Sequence, residues 1–195
     1  MDWELAGKIV WFAFVVCWGA IRWVPNKRSR RTDISTTVRT MRERFSIAVS
    51  TIGIGLLPGV WVFTGFPKSL DFEPIPLFIV AGTLVCLFSL YLFRVTHKAL
   101  GAMWSFSLDM RSEHKLVTEG IYKKVRHPMY SAFWLWAIAQ ALLLSNWAAG
   151  LSAIVGFGVL YFLRVGQEEQ MVLKEFGAEY EEYSQRTGRI FPRLK

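Results

Sequence analysis

The sequence predicts an all-α integral membrane protein with about five transmembrane helices, the last two a tight hairpin, followed by an amphipathic helix near the C-terminus. Three observations carry this expectation. Of 195 residues, 53% are hydrophobic and only 19% charged, against roughly 45–50% and about 25% in soluble domains. Apolar stretches recur at the length a helix needs to cross about 30 Å of hydrocarbon. Basic residues gather in alternate connections between those stretches. The same composition excludes a disordered chain, a collagen-like repeat and a small disulfide scaffold.

The first apolar stretch covers residues 3–24. Asp2 and Glu4 stand where a secretory signal would carry basic residues, and no A-x-A-like cleavage site follows, so it reads as a retained span. The second covers 45–65 and contains Gly53-Ile-Gly55-Leu-Leu-Pro-Gly59, which superficially resembles a dinucleotide fingerprint. Its spacing is wrong, Pro58 intrudes, and it follows no strand, so a kinked or closely packed helix is expected. The third covers 75–93, and the fourth and fifth, 129–145 and 147–163, are separated by little more than Asn146. Each of this last pair is near the lower length limit, hence the hairpin. Residues 168–184 then place Val172, Phe176, Tyr180 and Tyr183 at helical spacing among glutamates, with Gly188 and Pro192 as terminators. Cys17 and Cys86 both lie inside apolar stretches and read as packing residues.

Five spans put the termini on opposite sides, and the basic residues choose which. With the span ends and C-terminal tail included, 21 of 23 Lys and Arg fall on one side, Lys8 and Lys68 excepted. By the positive-inside rule that side is cytosolic, which leaves the N-terminus outside and the C-terminus inside. Topology and anionic headgroups thereby explain the net charge of +8, and no nucleic-acid partner is expected.

The chain reads as one membrane domain, 1–195. Residues 1–97 supply three spans and a basic loop, and 98–195 hold most of the remaining functional side chains. His97, His114 and His127 have no i, i+4 partner and no cysteine cluster nearby, so no metal site is expected. Neither G-x-S-x-G nor a P-loop occurs. What remains is the segment 120–130, joined at a distance to 164–169. Pro128 suits the first position of a helix and His127 its cap. The N–H groups of that helix start either offer an anion site at the interface or belong to an ordinary helix start with aromatic interface anchors. Arg164 and Glu168, four apart, are either a weak i, i+4 pair or a functional pair at the membrane boundary.

The segments His114-Lys115-Leu116-Val117-Thr118-Glu119-Gly120-Ile121-Tyr122, Arg126-His127-Pro128-Met129-Tyr130, and Glu168-Glu169 with Phe176-Gly177-Ala178-Glu179-Tyr180-Glu181-Glu182-Tyr183 resemble, in that order, the isoprenylcysteine carboxyl methyltransferase family of integral membrane enzymes. The resemblance covers roughly residues 95–195. It implies S-adenosylmethionine as methyl donor and the carboxylate of a lipidated C-terminal cysteine as acceptor. By position, His114, Lys115, Leu116, Val117, Tyr122, His127, Pro128, Met129 and Tyr130 would line the cofactor site, with Glu168 facing it. Arg164 matches the family's substrate-carboxylate arginine, which makes Arg164 and Glu168 the expected catalytic pair. Where the family can carry a glutamine seven residues before the histidine, this chain has Ser107.

The implied chemistry suits those residue types. An α-carboxylate of pKa about 3.3–3.7 is already ionised at neutral pH and needs no general base, and arginine can grip it bidentately. A soluble donor arriving from the cytosol and a lipid acceptor arriving sideways from the bilayer imply two access routes. Phospholipid N-methyltransferases resemble the same region, but their amine acceptor gains nothing from Arg164. Membrane sterol reductases share a His-Pro-x-Tyr segment but need a nicotinamide nucleotide, and no phosphate-binding loop is present. A transporter or scaffold predicts ionisable residues at mid-membrane or paired half-helices, and only Lys8 approaches the inside of a span.

Overall fold

The computed structural model describes residues 2–29, 34–37, 40–100, 109–111 and 116–193. Helix α1 spans Trp3–Ser29. A second rod is built from α2 (Met41–Thr51), one π-helical turn (Ile52–Leu56) and α3 (Leu57–Thr64). Helices α4 (Pro76–Leu100), α5 (Pro128–Leu143), α6 (Trp147–Phe176) and α7 (Ala178–Arg186) follow. Strands β1 (Ile34–Thr37) and β2 (Asp109–Arg111) pair antiparallel, an addition to an otherwise helical chain. Helix α5 packs on both α4 and α6, α2 packs on α6, and α1 packs on α4 and α5.

Among the described residues, four helical rods are long and apolar enough to cross a membrane: residues 3–23, 41–64, 76–100 and 147–176. Helix α5, with 16 residues, falls short of the about 20 that a span usually takes, so length alone does not carry a fifth crossing. The second rod begins at Met41, earlier than its apolar stretch, because Thr40 caps it. The Thr40 hydroxyl accepts from the Glu43 N–H at 3.2 Å, and Thr-x-x-Glu is the sequence form of that cap.

The glycine segment is closely packed and takes a π-helical turn. Leu57 N–H reaches Ile52 O, five residues back. The next carbonyl, Gly53 O, would need the N–H of residue 58, and proline has none. Side chains of two other helices supply donors instead: Ser152 Oγ at 2.7 Å and Gln140 Nε2 at 3.2 Å. Gln140 is fully buried and also accepts from Trp11 Nε1 at 3.2 Å and donates to Ala149 O at 2.7 Å. One amide thus joins α1, the π-turn, α5 and α6. Around it lie Trp11, Phe14, Trp61, Ile79, Cys86, Trp136 and Leu143. Cys86 fits the packing expectation, whereas Cys17 is exposed on α1.

The hairpin turn is fastened at the end of the bundle away from residues 164–169. Asn146 Oδ1 caps α6 by accepting from Ala149 N–H at 2.9 Å. Its Nδ2 donates to Pro67 O at 2.8 Å and to Asp71 Oδ1 at 2.7 Å, and Trp61 Nε1 donates to the same carboxylate oxygen at 2.7 Å. Lys8, paired with Glu4, sits 4.3 Å over the Trp61 ring. Asn146→Ala removes a cap and strands buried partners, and is expected to cost about 2 kcal/mol, read as a lower melting temperature in detergent. An unchanged melt would show that the loop holds without this side chain.

Helix α6 also runs further than its apolar stretch suggests. It continues through Arg164 and Glu168 to Phe176 and stops at Gly177, whose φ of +51° lies in the left-handed region. The expected amphipathic helix over 168–184 is therefore divided between the end of α6 and the separate α7, because nothing between Leu163 and Phe176 breaks a helix.

Candidate active site

Two segments far apart in sequence lie side by side at the N-terminal end of α5. After a 3₁₀ turn at Gly120–Lys123, residues 124–127 run parallel to 188–189. Arg126 N–H donates to Gly188 O at 2.8 Å, His127 N–H to Arg189 O at 2.9 Å, and Gly188 N–H to Lys124 O at 3.3 Å. Ser131 Oγ donates to Ile190 O at 2.6 Å, which extends the contact into α5. Pro128 then opens α5, with His127 at the cap. The imidazole makes no capping bond and is turned instead towards α6.

Two consecutive carboxylates on α6 meet two rings from the first turn of α5. The Tyr130 hydroxyl donates to Glu168 Oε2, and His127 Nε2 lies 3.1 Å from Glu169 Oε1. The two rings stack, with centroids 5.3 Å apart and planes at 15°. Tyr130 packs in addition on Phe157 and Tyr161. Arg164, one turn before Glu168, has its Nε 3.9 Å from Glu168 Oε2 and is mostly buried.

Glu169 is the centre of a charge cluster. Besides His127 it accepts from Arg126 Nε at 3.2 Å, Arg189 Nε at 3.1 Å and Arg189 Nη2 at 2.5 Å. Arg126 Nη1 also donates to Ser184 O at 2.9 Å and Thr187 O at 2.5 Å, so it caps the C-terminal end of α7. Arg189 is held above its ordinary range chiefly by its hydrogen bonds to Glu169. Burial pushes the Tyr183 phenol up to about 12, and its hydroxyl donates to Tyr122 O at 2.7 Å. The Tyr122 phenol is raised further, first by burial and then by the charge of Glu168 and by Tyr183. Both phenols therefore remain neutral at physiological pH.

Among the residues singled out from sequence, Tyr122, His127, Pro128, Tyr130, Arg164 and Glu168 come together here. Met129 points elsewhere, packing with Leu92, Phe93 and Ala132 towards α4. Leu116 and Val117 are half-buried in the irregular stretch leading to the 3₁₀ turn. His114, Lys115 and Ser107 lie outside the described residues. Sequence reasoning passed over Glu169, Arg126 and Arg189 as site residues. The doubled acid at 168–169 was the available signal for the first, whereas no spacing links 126 to 189.

Glu169→Ala leaves three basic groups facing a gap and is expected to release residues 187–193 from 124–131. Faster hydrogen exchange at Arg126, His127 and Gly188, with the spans unchanged, would show it. Unchanged protection there would mean that the backbone bonds suffice.

The family model described as "Isoprenylcysteine carboxyl methyltransferase (ICMT) family" matches residues 80–174. The chain is 35% identical over 88 residues to protein-S-isoprenylcysteine O-methyltransferase B of Arabidopsis thaliana, covering 44% of this chain and 45% of that one. It is 33% identical over 114 residues to the protein-S-isoprenylcysteine O-methyltransferase of Saccharomyces cerevisiae, covering 56% and 46%. Each match thus spans less than half of the curated relative. In fold it is similar to a solved eukaryotic intramembrane Ras methyltransferase, with TM-score 0.55 and 22% identity over 80% of this chain and 54% of that one.

Proposed function

We propose, from the match of residues 80–174 to the isoprenylcysteine carboxyl methyltransferase family, that this chain is a member of it and methylates the C-terminal carboxylate of a prenylated cysteine, or a similar lipophilic acid, at the cytosolic face of the membrane. The observation that carries this is Arg164, a mostly buried guanidinium near the inner end of an apolar helix, one turn before a carboxylate that holds the Tyr130 hydroxyl. A lipid-tethered acid arriving sideways from the bilayer meets that depth with its head, while its chain stays in hydrocarbon.

S-adenosylmethionine is the methyl donor in this reading, and the donor set suits it. Glu168 offers a negative charge to a sulfonium cation. Leu116, Val117, Tyr122, His127, Pro128 and Tyr130 would hold it, with Met129 as support from the α4 side and His114 and Lys115 completing the segment. Bound there, it would supply an electrophilic methyl on a sulfonium. The remaining work belongs to the chain. Arg164 binds the carboxylate bidentately and turns one oxygen towards the donor, Glu168 balances charge, and the buried Tyr122 and Tyr183 help keep water out. No group has to remove a proton, because the acceptor is already an anion. Too strong a grip would stabilise the ground state, so the role of Arg164 is as much orientation as affinity.

The topology follows the basic residues. Helix α5 is the fifth crossing, paired antiparallel with α6, with the N-terminus outside and Arg164, Glu168 and the C-terminus inside. Tags at the two termini labelled from one side of a sealed vesicle test this, and both reacting together would remove it. The reaction is tested with radiolabelled S-adenosylmethionine in the presence of farnesylcysteine acid or phosphatidylethanolamine. Label in a base-labile ester of the first supports the reading. Label only in the amine would return the chain to lipid N-methylation.

A further inference from the structure

The adjacent acids Glu168 and Glu169 each hold one ring of a stacked pair, Tyr130 and His127 respectively. The two bonds differ in what they leave free. Tyrosine has one hydroxyl and it is committed to Glu168. Histidine has two ring nitrogens, and only Nε2 is committed, at 3.1 Å from Glu169 Oε1. An ionised carboxylate accepts and cannot donate, so the proton of that bond belongs to Nε2. In a neutral imidazole the other nitrogen, Nδ1, then carries a lone pair and no hydrogen.

The Arg126 and Arg189 guanidiniums already face the one Glu169 carboxylate, at 3.2 Å and 2.5 Å. A proton on Nδ1 would add a third cation around a single anion, with Glu168, already shared between Tyr130 and Arg164, as the nearest further compensation among the described residues. Tyr161, Tyr180 and Tyr183 also stand beside the cluster among the described residues, and the Tyr180 and Tyr183 phenols, raised to about 12 chiefly by burial, add no negative charge near neutral pH. Among the described residues nothing is hydrogen-bonded to His127 Nδ1, although the ring is 9% exposed.

We propose that Glu169 is a positioning residue that fixes His127 as the Nε2–H tautomer, so that Nδ1 accepts a hydrogen bond from an N–H group of the methyl donor. The ligand half rests on the function argued above, whereas the tautomer half stands on the chain alone. Glu168 and Glu169 divide the work: the first meets charge at the reacting end, and the second sets the direction of a neutral hydrogen bond through the ring stacked on Tyr130. Arg126 and Arg189, which also fasten residues 187–193, keep Glu169 in place for that purpose.

The test uses the full chain in detergent with 15N-labelled histidine. Long-range proton–nitrogen correlation reports the tautomer of each of the three histidines, and His127→Asn identifies the signals of residue 127. The expected result is a neutral Nε2–H ring whose Nδ1 resonance moves on adding S-adenosylhomocysteine. A proton on Nδ1, as the other tautomer or as imidazolium, overturns the proposal. So does an Nδ1 resonance unmoved at saturating ligand. In Glu169→Gln the side-chain amide can donate as well as accept, so the tautomers should average; an unaltered Nε2–H ring there would show that Glu169 does not set it. Calorimetry supplies an independent reading. Asparagine can place an acceptor near the position of Nδ1 and glutamine cannot, so His127→Asn should keep S-adenosylhomocysteine affinity within about threefold while His127→Gln loses at least about tenfold; equal losses count against the proposal. If the wild-type chain binds no S-adenosylhomocysteine while its ring is Nε2–H, the methyl-donor reading fails and takes the ligand half with it, leaving the tautomer assignment intact.

Discussion

Replacing Arg164 with lysine is expected to lower turnover of a prenylcysteine acid at least about tenfold, roughly 1.4 kcal/mol of transition-state stabilisation, with little change in S-adenosylmethionine affinity. The charge survives and the planar fork does not, so orientation should suffer more than attraction. Glu168→Ala should do the opposite and weaken the cofactor first, because it leaves the Tyr130 hydroxyl without its acceptor and Arg164 without its i, i+4 neighbour. Initial rates together with calorimetry on both variants separate the two effects. Normal turnover in Arg164→Lys, or equal cofactor losses in both, would reduce the Arg164–Glu168 pair to a structural ion pair.

The largest effect on folding is expected at Gly53. A Cβ there would stand 2.2 Å from Ser152 O and 3.1 Å from the Gly156 Cα. Both are backbone atoms of α6, so relief requires the second rod to move away. That movement would also pull Gly53 O from Ser152 and Gln140, the donors that replace the N–H absent at Pro58. Gly53→Val should cost at least about 3 kcal/mol. At Gly55 a Cβ meets nothing within 4 Å, so Gly55→Val serves as the control. Similar melting temperatures for the two would mean that close approach is not what the glycine provides.

The broad architecture was legible because the bilayer imposes it on composition. Runs such as 75–93 must be helical wherever they cross the hydrocarbon layer. The α5–α6 turn was legible at Asn146 and the start of α5 at His127-Pro128, since caps and prolines act locally. What escaped depended on distant partners. The length of α6 could not be read from hydropathy, because its last turns are charged and are kept in place by α5 and the segment after α7. Arg126, Glu169 and Arg189 form one cluster from three regions, and no periodicity connects them. Tyr130 and Glu168, by contrast, are marked by the family resemblance alone, and only the fold explains why a tyrosine and a glutamate 38 positions apart belong together.

Helix α6 is a single rod fastened at one end by Asn146 to Pro67 and Asp71, with Arg164 about 27 Å along it at 1.5 Å per residue. That length is close to the thickness of the hydrocarbon layer it crosses. A rigid ruler anchored at the far surface makes the depth of the guanidinium a property of the lipids. In a thicker bilayer the rod must tilt or draw Arg164 below the headgroups, and in a thinner one Arg164 rises into water, where a carboxylate is held less tightly. If the chain methylates a lipid-tethered acid as proposed, turnover is expected to vary with the acyl-chain length of the surrounding membrane although no residue of the site is touched.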